Sequence, residues 1–135
     1  FAAYGHPIYL QADRRFYGYL RGEIDLVYGQ DGRYFIIDYK SNYLGNRWAD
    51  YQGAALHRAM AEHQYFLQAA IYQLALYRQL RTMANFSMEM LGPVEYCFLR
   101  GLDGEHDSGR YSWQIPADFL HSFDQLLGTQ NGTHR

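Results

Sequence analysis

Residues 22–40, GEIDLVYGQDGRYFIIDYK, read as two apolar strands about a tight turn, yet they carry two aspartates and a lysine. Asp31-Gly32 is a two-residue loop of the type that most strongly marks a β-hairpin, and the flanking Tyr, Ile, Leu and Val suit strands. The hairpin is expected over residues 16–40, with Gly18 and Gly22 in its first strand. If Asp31 and Gly32 are the central turn residues, Gln30 faces Arg33, and counting outward sets Asp25 opposite Asp38. Directly opposed residues have Cβ atoms ~4.5–5.5 Å apart. Side chains alternate with period two, so Lys40 joins Asp38 on that face while Tyr39 points away.

Two facing carboxylates repel each other in a site of low dielectric unless a proton or a cation lies between them. Mg²⁺ would resolve the repulsion, because it is a hard ion that takes one or two protein carboxylates and completes its shell with water and phosphate oxygens. A lysine alongside can hold an attacking water or stabilise charge growing on a phosphate. That is the chemistry of a metal-dependent phosphodiesterase. The plainer alternative is a surface ion pair, since Asp-x-Lys is common at strand ends; the apolar flanks of Asp25 in IDLV argue instead for a buried strand.

The rest of the chain supplies a core for such a hairpin. At 135 residues and 48% hydrophobic it suits one domain. It opens on Phe1 without a cationic start and apolar run, so no secretory signal is expected, and the sequence reads as part of something longer. The single cysteine, Cys97 in VEYCFLR, cannot form an internal disulfide and fits a reducing, cytoplasmic setting. No apolar run is long enough for a bilayer, so a soluble protein with no membrane partner is expected. A formal charge of -2 and a pI near 6.3 lack the basic signature of an autonomous nucleic-acid binder.

From about Asp50 to Arg81 the composition turns helical, with Asp50 as N-cap, Leu67, Ile71, Leu74 and Leu80 as an apolar stripe, and either one bent helix or two pieces meeting near His63. That segment crosses over to PVEYCFLRG, a central strand starting at Pro93. YSWQI is then a short edge strand. Pro116 opens a last helix with Phe119, Phe123, Leu126 and Leu127 as its apolar side and Gly128 near its end. The expected organisation is a lead-in over 1–15, the domain over 16–128 and a disordered tail over 129–135.

GEIDLV followed by YFIIDYKSNYLG resembles the nuclease motif of the PD-(D/E)xK superfamily, and more narrowly the RecB-type C-terminal nuclease domains of exonuclease V. DYKSN, the later YFLQAAIYQLAL and YCFLRG follow the RecB-type order and spacing, and the resemblance spans residue 16 to about 127. It implies an α/β, restriction-endonuclease-like mixed sheet whose first helix precedes this sequence. It also implies Mg²⁺, replaceable by Mn²⁺ or Ca²⁺, with Asp25 and Asp38 as metal-binding acids and Lys40 as the catalytic lysine. Gln68 and Tyr72 match the family's Q-x-x-x-Y element; four apart on a helix they share a face and would reach substrate or the metal shell, or else form a helix-to-sheet hydrogen-bond pair. The implied function is DNA cleavage in double-strand break repair and foreign DNA degradation, with RecB motor domains and RecC-like and RecD-like subunits as partners.

Two departures bear on the site. Ile24 replaces the motif proline. The family's histidine metal ligand comes from a helical region well upstream; His6 is too near Asp25 to be assigned that role, and Glu23, on the face of Asp25, is a substitute. The isolated chain is therefore expected to bind metal weakly and cleave poorly. The remaining histidines, His57, His63, His106, His121 and His134, show no tight ligand spacing, so zinc is not expected. Arg14, Arg15 and Arg21 either touch phosphate or form a solvated face, and GLDGEHDSG is acidic but lacks the EF-hand ligand order. The competing function is a catalytically silent nuclease-like module whose tyrosine-rich surface docks on a partner protein.

Overall fold

The computed structural model describes residues 6–7, 26–103 and 108–132. Its organising unit is the hairpin of β2 (Leu26–Gln30) and β3 (Arg33–Lys40). Asp31 at φ 54° and Gly32 at φ 76° give the turn two left-handed residues, the geometry that matches the twist of the flanking strands. The rungs run from Gln30↔Arg33 to Leu26↔Ile37, the register that the turn alone implies. Asp25, Glu23 and the earlier part of the expected strand lie outside the described residues. A two-residue strand β1 (His6–Pro7) pairs with Gly29 and Tyr28, so part of the expected lead-in joins the sheet.

The crossover after β3 consists of two helices, α1 (Gly53–Glu62) and α2 (Tyr65–Leu80), broken at His63 and at Gln64, whose φ of 58° ends one helix and redirects the next. Asp50 does not cap α1. It sits in a short 3₁₀ turn (Trp48–Tyr51) and its carboxylate takes the backbone N–H and guanidinium of Arg47, while Gln52 occupies the cap position. The chain then returns as β4 (Leu91–Phe98), parallel to β3, and as β5 (Arg110–Trp113), antiparallel to β4 at the edge. The sheet order is β1-β2-β3-β4-β5, and a last helix α3 (Ala117–Gly132) runs past Gly128. This mixed α/β sheet matches the expected architecture.

Pro93 lies inside β4 rather than at its start. The register shifts between Tyr34↔Leu91 and Ile36↔Val94, so Gly92 and Pro93 share the place opposite Phe35, and a residue without an N–H is tolerated at such a bulge. A side chain at Gly92 would meet the Tyr34 carbonyl at 2.8 Å, which requires glycine there. The bulge is held from above by Gln73 of α2, fully buried, whose Nε2 donates to Gly92 O (2.7 Å) while its Oε1 accepts from Ile115 N (2.6 Å).

The core lies between the helices and one sheet face, where Val27, Ile36, Val94, Tyr96 and Phe98 meet Leu56, Met60, Leu74, Leu76 and Leu80. Leu67 is 55% exposed, contrary to the expected stripe. Ala69 and Ala70 take the buried positions in that turn instead, where small side chains let α2 approach closely. On α3 the buried anchor is Leu120, with Phe123 and Leu127 packed beside the core, whereas Phe119 and Leu126 stand exposed. Arg78 and Arg81 of α2 converge on Asp124 at 2.7 and 3.0 Å and fix α3 in place. Among the described residues no helix is long and apolar enough to cross a membrane.

Candidate active site

Strand alternation sends Ile36, Asp38 and Lys40 to the face covered by the helices, and Tyr39, 47% exposed, to the other. Asp38 is buried to 1% exposure beside Tyr96, its Cα partner on β4. The surface ion-pair alternative is thereby excluded: Lys40 Nζ lies 3.1 Å from Asp38 Oδ1 and both side chains are largely removed from water. The ammonium also lies 4.2 Å from the ring centroid of Tyr65 and 5.5 Å from that of Tyr96. Two carbon-rich walls and one carboxylate thus define where the charge of Lys40 sits.

Tyr96 joins the strand pair to α2. Its hydroxyl is within 2.9 Å of Gln68 Oε1 and 3.1 Å of the Tyr65 carbonyl. Burial, followed by the nearby Asp38, Tyr72 and Tyr65, pushes the phenol well above its ordinary pKa near 10, so it remains a donor. Gln68 accordingly makes the helix-to-sheet hydrogen bond foreseen as one of its two readings. Tyr72, one turn further along, is 1% exposed and near enough to Tyr96 to affect its ionisation. Asp38, Lys40, Gln68 and Tyr72 are therefore brought together around Tyr96; Asp25 and Glu23 fall outside the described residues.

The loop leaving β3 is held tightly over this cluster. Tyr65 Oη donates to Asn42 Oδ1 (3.2 Å), Arg100 Nε to Ser41 O (2.7 Å), and Leu44 N to the hydroxyl of buried Tyr51 (3.0 Å). Gly45, at φ 151°, lies so close to the Asp50 carboxylate that a Cβ would overlap it. Hydrogen bonds from Arg47 hold the half-buried Asp50 carboxyl below its usual pKa. At the rim, Tyr43 Oη donates to Asn46 Oδ1 and the Arg100 guanidinium lies 6.0 Å from the Tyr43 ring.

Other polar groups serve elsewhere. His57 meets the Tyr111 hydroxyl at 2.9 Å, and His121 packs edge-on against Tyr77. Burial raises the Cys97 thiol above its ordinary pKa, which makes it a poor nucleophile. Among the described residues no group of three or more His, Cys, Asp or Glu side chains is placed to hold a metal ion. An oxygen-loving divalent ion needs less than that, because one or two carboxylates suffice when phosphate and water complete the shell. Buried Asp38, adjacent to the Lys40 ammonium, supplies one such carboxylate.

A family model for the PD-(D/E)XK nuclease superfamily matches residues 2–126. The chain belongs to that superfamily. Within it the domain is RecB-type. It is 43% identical over 113 residues to RecBCD enzyme subunit RecB of Escherichia coli strain K12, covering 82% of this chain and 10% of that protein. It is 44% identical over 113 residues to the RecB subunit of Haemophilus influenzae (82% and 9%), and 37% identical over 125 residues to that of Mycobacterium tuberculosis strain CDC 1551 / Oshkosh (85% and 11%). The chain spans about a tenth of the length of these curated relatives.

In this RecB-type nuclease domain, sequence reasoning missed Tyr65, Tyr96 and Asn42 as parts of the site. Tyr65 precedes Gln68 by three and Tyr72 by seven, a spacing that puts all three on one helix face. Asn42 continues the period-two alternation of Asp38 and Lys40. Tyr96 carries no local signal, since only the parallel register of β3 with β4 brings it beside Asp38.

Proposed function

We propose that this domain is the metal-dependent DNA nuclease of a RecB-type helicase-nuclease, acting in double-strand break repair and foreign DNA degradation. Asp38 and Asp25 would hold Mg²⁺, with Mn²⁺ or Ca²⁺ able to take its place. When bound, the ion would neutralise phosphate charge and acidify a water ligand. The observation that carries this reading is the desolvated pair Asp38–Lys40 at the exit of β3. A buried carboxylate next to a lysine is costly to keep for stability alone, and both groups have a use where a phosphate diester arrives. Lys40 has three donors, one aimed at Asp38, and can orient a water or a phosphate oxygen with another.

Gln68 supports this arrangement through Tyr96, and Tyr72 supports the buried side of the same cluster. With a net charge of -2, the domain exerts little pull of its own on DNA. Motor domains that deliver the strand, and RecC-like and RecD-like subunits, complete the proposed assembly in the cytoplasm. The test is Mg²⁺-dependent cleavage of single-stranded DNA by the RecB-length protein. Asp38→Ala, Lys40→Ala and Asp25→Ala are each expected to abolish it while motor activity persists. Cleavage retained at more than a few per cent of wild type in the first two would overturn the assignment. Calorimetric titration with Mn²⁺ that shows no binding to the wild-type protein would instead favour the silent, protein-docking module.

A further inference from the structure

Lys40 is the only lysine in the chain; the other eleven of its twelve cationic Lys and Arg residues are arginines. A lysine side chain is a point charge on four rotatable carbons, and a single carboxylate contact fixes its distance without fixing its direction. Tyr65 supplies what Asp38 does not. Its ring centroid is 4.2 Å from Nζ, close enough for a direct cation–π contact. The ring is itself immobilised: it stacks with His63 (5.3 Å, 23°) and with Tyr96 (5.5 Å, 14°), and its hydroxyl donates to Asn42 two residues beyond Lys40. Gln64, in its left-handed conformation, sets Tyr65 as the first residue of α2 and so aims it at the strand end.

We propose that Tyr65 is a positioning residue for Lys40: its ring face holds the ammonium in place beside Asp38, so that the lysine meets a substrate phosphate already oriented. The inference rests on the nuclease reading given above for its catalytic consequence. A neutral aromatic face is suited to the task for a chemical reason. Any cation taken up by Asp38 weakens the attraction of that carboxylate for Lys40, whereas the ring quadrupole neither titrates nor ligates a hard metal, so the contact with Tyr65 persists when the ion pair is weakened.

The single lysine makes the test direct. In the 135-residue chain labelled with ¹³C at lysine Cε, one signal reports Lys40, and its methylene protons are expected upfield of those of free lysine because the Tyr65 ring current shields them. Tyr65→Phe should keep that displacement, and Tyr65→Leu should remove most of it, leaving the smaller shift from the Tyr96 ring at 5.5 Å, while the amide spectrum remains that of a folded chain. An undisplaced signal in the wild-type protein overturns the proposal whether or not the leucine variant folds. In single-stranded DNA cleavage with Mg²⁺ by the RecB-length protein, Tyr65→Leu should lower kcat by roughly 10- to 100-fold, the scale of losing an outer residue that orients a site group, with little change in KM. Tyr65→Phe should recover most of that loss. A leucine variant that turns over as fast as wild type also overturns the proposal. If the RecB-length protein cleaves no DNA with any divalent ion while the lysine signal of the 135-residue chain follows the ring, the nuclease reading fails and the Tyr65–Lys40 clamp stands.

Discussion

Replacing Lys40 by methionine preserves much of the side-chain volume and removes the cation that lies 3.1 Å from Asp38. Asp38 is 1% exposed, so its charge gains little from bulk water once that partner is gone. Breaking a buried ion pair on one side costs about 3–5 kcal/mol. The Lys40 side chain retains 15% exposure, which favours the lower end, about 3 kcal/mol. Domains of this size have roughly 5–15 kcal/mol of total stability, so the variant should remain folded. With a urea m-value of about 2 kcal/mol/M, the midpoint in EDTA should fall by about 1.5 M. A divalent cation held by Asp38 would replace the missing charge, and at a hundred times its Kd it adds about 2.7 kcal/mol. Urea titrations of wild type, Lys40→Met and the double variant Asp38→Asn/Lys40→Met, in EDTA and in Mn²⁺, separate these contributions. The double variant should be more stable than Lys40→Met in EDTA and gain nothing from metal. A loss below about 1 kcal/mol for Lys40→Met would refute the claim that the pair is desolvated, and equal metal stabilisation of the double variant would remove Asp38 from the ligand set.

If the register seen from Gln30↔Arg33 to Leu26↔Ile37 continues by one rung, Asp25 faces Asp38, and Asp25→Asn should raise the melting temperature in EDTA by relieving repulsion; an unchanged or lowered value would show the two acids to be apart or already compensated. Gln73→Leu leaves the Gly92 carbonyl and the Ile115 N–H without their partner, at about 1–3 kcal/mol each, so chemical denaturation should register a loss of roughly 2–6 kcal/mol; a value under 1 would mean that water replaces the amide. The Tyr96 phenol has a raised pKa in the folded state, so the stability linked to it is complete below pH 10 and is lost as pH rises further, by about 1.4 kcal/mol per unit. Tyr96→Phe should flatten that alkaline decline relative to wild type, and parallel profiles would count against burial of the hydroxyl.

Much of this architecture is legible in the sequence. Asp31-Gly32 specified both the hairpin and its register, since a type I′ turn leaves only one way to pair the strands. The same alternation placed Lys40 with Asp38 and turned Tyr39 away. Local patterns were less informative wherever a neighbour in space decided the outcome. Leu67 looks like a core residue but is exposed because the alanines beside it allow the helix to sit close to the sheet. Asp50 has the composition of a helix cap, yet Arg47 captures it one element early. Pro93 resembles a strand boundary because a bulge, which has no sequence signature of its own, makes its missing N–H harmless. The partners of Lys40 were legible only in part, since the motif named Gln68 and Tyr72 whereas the contact with the ammonium belongs to Tyr65 and Tyr96.

The parallel pairing of β3 with β4 bears on the order in which the molecule is built. The hairpin that carries Asp38 and Lys40 closes through a two-residue turn and can form within microseconds. Tyr96 reaches Asp38 only after both crossover helices have formed and returned the chain, a closure whose entropy must be met before the contact is gained. In any form of the chain in which β4 has not yet paired with β3, Asp38 and Lys40 remain in contact with water, and they become a desolvated pair only once that pairing is made. Under the nuclease reading proposed above, a nascent or partly unfolded form of the chain would lack the assembled pair, and hydrolytic competence would arrive only with the complete fold.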